Sequence, residues 1–240
     1  MNASRRTAKG RVAAVIPAGG SGTRMGAETP KQFLPLGGVP LLLHTLWAFD
    51  QAPSVDAVIL VVPAKERRRV LIDIVERYGV KKVQKVVAGG ETRQQSVHNG
   101  LKETDPDVEI VVVHDAVRPF VTEDLIERSI EAARKEGGAI AAVPMKDTPK
   151  QAGPDRQIQR TLDRSELWLA QTPQTFRRAL LLEAYEKAAI EGLQATDDAA
   201  LVERLGHKVG IVPSTWENIK ITSPEDLIIA EAILTSREGR

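Results

Sequence analysis

Arg24 sits inside the glycine-rich run "PAGGSGTRMG" (17–26), and Lys31 follows within "PKQ" (30–32). Backbone N–H groups converge on a phosphate most easily where no Cβ obstructs them, which is what clustered glycines after a strand provide. Glycines alone would hold a nucleotide. Two fixed cations beside them suit a triphosphate attacked at its α-phosphorus, where negative charge builds up. Two familiar phosphate loops are excluded. A Walker loop needs a Lys-Ser or Lys-Thr after its glycines, and none follows here. A dinucleotide fingerprint needs G-x-G-x-x-G; Gly20 and Gly22 begin one, but Met25 holds the third position and Gly26 comes one residue late. With Arg24, Pro30, Lys31 and Gln32 all at this spacing, nucleotidyl transfer is favoured over a surface turn with incidental charges.

A second polar cluster is "HDAVRP", directly after the apolar run "EIVVV" (109–113). An aspartate there, Asp115, suits a hard cation such as Mg²⁺ that bridges to phosphate oxygens. The alternative is a turn-forming Asp capping nearby backbone. Arg118 would brace that loop or contact substrate, and the sequence leaves this open. No Ser-His-Asp or H-E-x-x-H set is evident, and His44, His98 and His207 lack metal-ligand spacing, so packing or surface roles are expected for them. Trp47 and Trp168 are expected in the core or an interface.

The elements that must carry these groups alternate. Short apolar runs at 11–18, 55–63, 82–90, 108–120 and 139–144 read as strands, and helical spacing recurs at 39–52, 64–79, 91–104 and 122–138. Thr122 and an acidic first turn start the last of these helices. Such alternation predicts an α/β fold: a Rossmann-like three-layer α/β/α arrangement with a mostly parallel sheet. The rhythm breaks at 145–173, where "QAGPDR" marks a turn between two extended segments, so a protruding β-hairpin arm is expected. Helices are expected again at 176–192 and 196–206, the latter capped by Thr196. A strand at 207–214 follows, and 216–236 reads as a short strand and a final helix.

The chain resembles the sugar- and polyol-phosphate nucleotidyltransferases, and more closely the 2-C-methyl-D-erythritol 4-phosphate cytidylyltransferase family. The resemblance runs from about Val12 to Ile233 and rests on "PAGGSGTRMG", "PKQF", "GGETRQQSV", "HDAVRPF", "DTPK", "TLDRSELWLAQTPQ", "TDDAALVE" and "NIKITSPEDL" in order. It implies transfer of a cytidylyl group from CTP to methylerythritol 4-phosphate, releasing pyrophosphate, with Mg²⁺ held at Asp115. It implies that Ala18, Gly19, Gly20 and Gly22 surround the triphosphate, and that Arg24 and Lys31 stabilise the transition state. Gly90 and Ser96 are then directed to the cytosine and ribose; the alternative for Ser96 is a helix-start serine facing the core. Thr148, Arg164, Thr172, Thr196 and Lys220 match contacts to the acceptor phosphate, with Lys220 also touching the α-phosphate. A charge-paired structural arginine is the alternative for Arg164. In this family the arm reaches into a neighbouring subunit, so a homodimer is expected. The competing readings are a ribitol 5-phosphate cytidylyltransferase, which shares the glycine loop and "HDAVRPF", and an inactive nucleotide-binding homologue, which would have lost Arg24, Lys31 or Asp115.

Composition agrees with a single domain over 11–240 after a basic, disordered tail at 1–10. The 240 residues are 42% hydrophobic and 27% charged, with a formal net charge of +1, which gives no reason to expect nucleic-acid or membrane binding. There are no cysteines; disulfides and thiolate metal sites are excluded, and a cytoplasmic location is expected.

Overall fold

The computed structural model describes residues 10–19 and 30–239. The expected tail lies almost wholly outside that range, and so do Gly20, Gly22 and Arg24. In chain order the strands are β1 (Arg11–Pro17), β2 (Pro35–Leu36), β3 (Val39–Pro40), β4 (Ala57–Val62), β5 (Val83–Ala88), β6 (Val108–Val113), β7 (Gly138–Pro144), β8 (Lys150–Ala152), β9 (Ile158–Thr161), β10 (Trp168–Arg177) and β11 (Gly210–Pro213). The helices are α1 (Leu41–Gln51), α2 (Arg67–Val70, extended by a π-helical stretch Leu71–Glu76), α3 (Arg93–Lys102), α4 (Glu123–Glu136), α5 (Arg178–Ile190), α6 (Asp198–Arg204) and α7 (Pro224–Glu238).

Seven strands form one sheet in the order β11-β7-β10-β6-β1-β4-β5. All neighbouring pairs are parallel except those of β10, which runs antiparallel to both β6 and β7. The expected mostly parallel sheet is therefore present. Its strands are apolar on both sides because both faces are covered. Along β1 the side chains alternate: Val12, Ala14 and Ile16 join a core with α1 and α4, whereas Ala13 and Val15 join one with α3, α5 and α6. A smaller cluster gathers Leu36, Leu41, Phe120 and Ile221 beneath α7. Gly100 lets α3 lie close on the sheet, since a Cβ there would come within 2.6 Å of Val15 and 2.7 Å of Val61.

Three details differ from expectation. The arm hairpin is β8 paired with β9, but residues 168–173 leave it and belong to β10 in the central sheet. That strand hid in the sequence because its buried positions include Gln171, Thr172, Gln174 and Thr175, polar residues that read as loop. No strand forms at 216–222; its backbone bonds are a local turn, Asn218 N–H to Thr215 O at 3.2 Å, and one longer tie, Ile221 N–H to Val117 O at 2.9 Å. The cap of α6 is Asp197, whose side chain accepts from Ala200 N–H, and not Thr196. Aspartate caps at least as well as threonine, and the helix begins one residue later than the spacing suggested. Thr122 caps α4 as expected, accepting from Leu125 N–H.

Candidate active site

The carboxyl ends of β1, β5 and β6 open onto a cleft of about 410 Å³, the place where parallel α/β sheets bind ligands. Ala18 and Gly19 leave β1 there, and the Ala18 N–H is tied to Val61 O at 2.7 Å. Gln32, buried in a 3-10 turn, donates through Nε2 to Ala18 O at 2.7 Å. That bond joins the two ends of the glycine-rich segment and brings neighbouring Lys31 to the cleft wall.

The opposite wall is the start of α3. Thr92 and Gln95 form a reciprocal capping box, which fixes the first turn. Gly90 is needed because a Cβ there would come within 2.4 Å of the Gln95 Cβ. Ser96 accepts from Gly90 N–H at 3.1 Å and donates to Thr92 O at 2.9 Å. It is buried yet lines the cleft, and its hydroxyl closes the helix start on that side.

Asp115 forms the floor. Arg93 Nε donates to its Oδ1 at 3.0 Å, Lys220 Nζ pairs with Oδ2 at 2.8 Å, and Arg118 Nε lies 3.6 Å from Oδ2. Burial alone would raise this carboxyl, but Arg93, Lys220 and Arg118 together outweigh it and hold it well below the usual carboxylate range. Arg118 also donates through Nη1 to Asn218 O at 2.8 Å. The residue whose role the sequence left open thus braces both Asp115 and the segment that carries Lys220.

Below the floor, polar groups are paired in an ordered chain. Asp115 N–H donates to Thr172 Oγ1 at 3.1 Å, and that hydroxyl lies 3.0 Å from His114 Nδ1. His114 Nε2 lies 3.0 Å from Arg118 O, a carbonyl that can only accept. The pairing assigns the proton to Nε2 and makes Nδ1 the acceptor of the threonine proton. Burial pushes the imidazole down to about 4, so His114 is neutral at pH 7. With both nitrogens engaged, it is a structural group and not a general base.

Of the predicted contacts, Ala18, Gly19, Lys31, Gly90, Ser96, Asp115 and Lys220 share this cleft. Thr172 lies buried beneath it. Thr196 is exposed beside α6, and Thr148 and Arg164 are exposed on the arm; Arg164 Nη1 donates to Lys146 O at 2.8 Å. Arg93 was missed, although it stands inside "GGETRQQSV". A positive charge in a helix's first turn opposes the macrodipole, so an arginine there signals carboxylate partners, and it has two: Asp115 and Asp198.

Among the described residues no group of three or more His, Cys, Asp or Glu gathers to hold a metal. One cleft carboxylate fits Mg²⁺ only as the ion is bound in nucleotide sites, with phosphate oxygens and water filling the remaining positions. No helix among the described residues is long and apolar enough to cross a membrane.

Comparison with known proteins agrees with this geometry. Residues 12–236 match the family model for 2-C-methyl-D-erythritol 4-phosphate cytidylyltransferase. A protein of that name from Syntrophus aciditrophicus is 51% identical over 232 residues, covering 97% of this chain and 99% of its own. One from Pelotomaculum thermopropionicum is 49% identical over 230 residues, covering 96% and 97%. Among solved structures, 4-diphosphocytidyl-2C-methyl-D-erythritol synthase from Anaerococcus prevotii superposes with a TM-score of 0.83 at 36% identity, covering 94% of this chain and 96% of that one. The cytidylyltransferase from Thermus thermophilus gives 0.77, also at 36% identity, covering 94% and 99%. The chain belongs to the 2-C-methyl-D-erythritol 4-phosphate cytidylyltransferase family.

Proposed function

We infer that the chain transfers a cytidylyl group from CTP to 2-C-methyl-D-erythritol 4-phosphate, giving 4-diphosphocytidyl-2-C-methyl-D-erythritol and pyrophosphate, a step towards isoprenoid precursors by the non-mevalonate route. The observation that carries this reading is the convergence of Lys31, Lys220, Asp115, Ser96 and the Ala18–Gly19 turn on one cleft in a chain of this family. The acceptor phosphate is its own nucleophile. Its second pKa is about 6, so at pH 7 it is mostly dianionic and requires no base; the buried, doubly bonded His114 is consistent with that.

The remaining task is to bring two anions together. Arg93, Arg118, Lys220 and Lys31 outnumber Asp115, Asp198 and Glu91 by one positive charge. The cleft therefore attracts polyphosphate before any contact is made. Lys31 and Lys220, both on the cleft lining, would neutralise the α-phosphate and the departing pyrophosphate. Arg24, seven residues before Lys31 in sequence, is assigned the same work. Backbone N–H groups of Gly19, Gly20 and Gly22 would wrap the triphosphate, with Ala18, whose own N–H is taken by Val61 O, fixing the start of the turn; Gly90 and Ser96 would hold the cytosine end. Asp115 would hold Mg²⁺, which when bound lowers the charge repulsion between phosphates.

The acceptor side includes Thr148 and Arg164 of the arm, together with Thr172, Thr196 and Lys220. Because Arg164 and Thr148 are exposed and outside the cleft lining, we assign them to the cleft of a second copy in a homodimer. We assign the enzyme to the cytoplasm, a reducing compartment that a cysteine-free sequence suits.

Pyrophosphate release with CTP and Mg²⁺ tests the assignment. Methylerythritol 4-phosphate is expected to be turned over and ribitol 5-phosphate to be poor. Equal or faster turnover of ribitol 5-phosphate would overturn the acceptor, and no release with either would overturn the activity.

A further inference from the structure

The Asp115 carboxylate is held by a guanidinium that is itself anchored from outside the cleft. Arg93 is the first residue of α3. Its Nε reaches Asp115 Oδ1, while Nη1 and Nη2 donate to the two oxygens of Asp198 at 3.1 and 2.8 Å. Asp198 is the first residue of α6 and is fully buried. Its carboxylate also accepts the hydroxyl of Tyr185, a buried residue of α5, and its backbone N–H donates to Gln174 Oε1 at 3.0 Å.

A buried carboxylate paired with one arginine adds little net stability, because desolvating both ions costs about what their attraction returns. This pair does something else. The bidentate fork fixes the guanidinium plane, and the fixed plane fixes Asp115 Oδ1. The other oxygen, Oδ2, stays with Lys220, a flexible point charge on a half-exposed stem. The two oxygens of the floor carboxylate are thereby made unequal: one is locked by the protein's interior, the other is shared with a cation that can turn towards phosphate.

We propose that Arg93 is a positioning residue for the transfer, and that Asp198 and Tyr185 hold it in register with Asp115, so that helices α5 and α6 set the geometry of a cleft they do not line. This rests on the reading of the site given above. A salt bridge serving only to join α3 to α6 would be indifferent to the cleft, and its loss would move stability without moving turnover.

The experiment is a kinetic double-mutant cycle on the full-length chain, with CTP and methylerythritol 4-phosphate as substrates and melting temperature measured in parallel. Arg93→Lys keeps the charge and loses the fork; kcat is expected to fall about 10- to 100-fold, the scale of a small misplacement of reacting groups. Tyr185→Phe removes one hydroxyl; kcat is expected to fall about three- to tenfold, with KM for CTP changed less than kcat. Since Tyr185 acts through Arg93, the double variant should be no slower than Arg93→Lys alone. Multiplying effects in the double variant, or Tyr185→Phe with wild-type kcat and a lowered melting temperature, would overturn the inference while leaving the activity in place. A wild-type chain inert towards both substrates would overturn the activity and the positioning role together.

Discussion

The cleft floor and the arm are built in opposite ways. Around Asp115, groups from β1, α3, β6, β10, α6 and the segment before α7 meet, and Thr172, His114, Arg118, Asn218 and Asp198 are buried and cross-linked over long sequence separations. The arm contains strands β8 and β9, whose residues are all exposed and whose pairing is local. One region is polar and densely cross-linked, because burying donors and acceptors demands partners for nearly all of them; Arg118 Nε, 3.6 Å from Asp115 Oδ2, has an ion-pair contact and no hydrogen bond. The other holds polar residues that answer to nothing in their own chain except neighbours such as the Lys146 carbonyl. The contrast teaches where to expect coupling: floor residues affect folding and chemistry together, arm residues affect chemistry alone.

The sharpest way to break that contrast is Asp198→Ala, which leaves the two Nη groups of Arg93 and the Tyr185 hydroxyl without their buried partner. A loss of about 3–5 kcal/mol is expected, read as a lowered denaturation midpoint together with lost turnover. A stable, active variant would show that the floor is not a unit.

Acid titration probes the same region more gently. His114 has a folded pKa of about 4, against about 6.5 for a free imidazole. Between those values the unfolded chain binds a proton that the folded chain refuses, so stability falls as pH drops from 6.5 to 4. The full contribution approaches about 3 kcal/mol. Asp115, whose carboxyl is depressed, contributes stability above its unfolded pKa and loses it only at still lower pH. Denaturant melts at several pH values check this; a flat profile between 6.5 and 4 would contradict the buried neutral imidazole.

Arg164→Ala has the smallest expected effect on folding, within about 0.5 kcal/mol, as for exposed residues generally. Its turnover should nevertheless fall at least about a hundredfold, the scale of a lost transition-state cation. Equal melting curves with collapsed activity would sharpen the contrast, whereas unchanged activity would remove the arm from the site.

Legibility in the sequence follows the same divide. Period and glycine spacing exposed the sheet, the phosphate turn and most of the cleft, because strand ends and loops carry these in consecutive residues. Asp115 was read from its place directly after the apolar run of β6, whereas Lys220 was reached only through the motifs of a resembling family; no local pattern joins residues so far apart. The tethers were harder. Neither Asp198 nor Arg93 stood out, because they are 105 residues apart in sequence and meet only when α3 and α6 pack on one face of the sheet. Strand β10 was split between arm and helix because Gln171, Thr172 and Gln174 serve the polar network under the cleft, so their burial has no hydrophobic signature.

The claim that the cleft and the arm of one chain serve different active sites can be tested directly. Lys31→Ala chains, with a disabled cleft and an intact arm, are mixed through reversible denaturation with Arg164→Ala chains of the opposite kind. Random pairing makes half of the dimers mixed, and each mixed dimer has one site with both parts intact, so activity should recover to about a quarter of wild type. Mixed dimers that form and remain inactive would contradict the shared site.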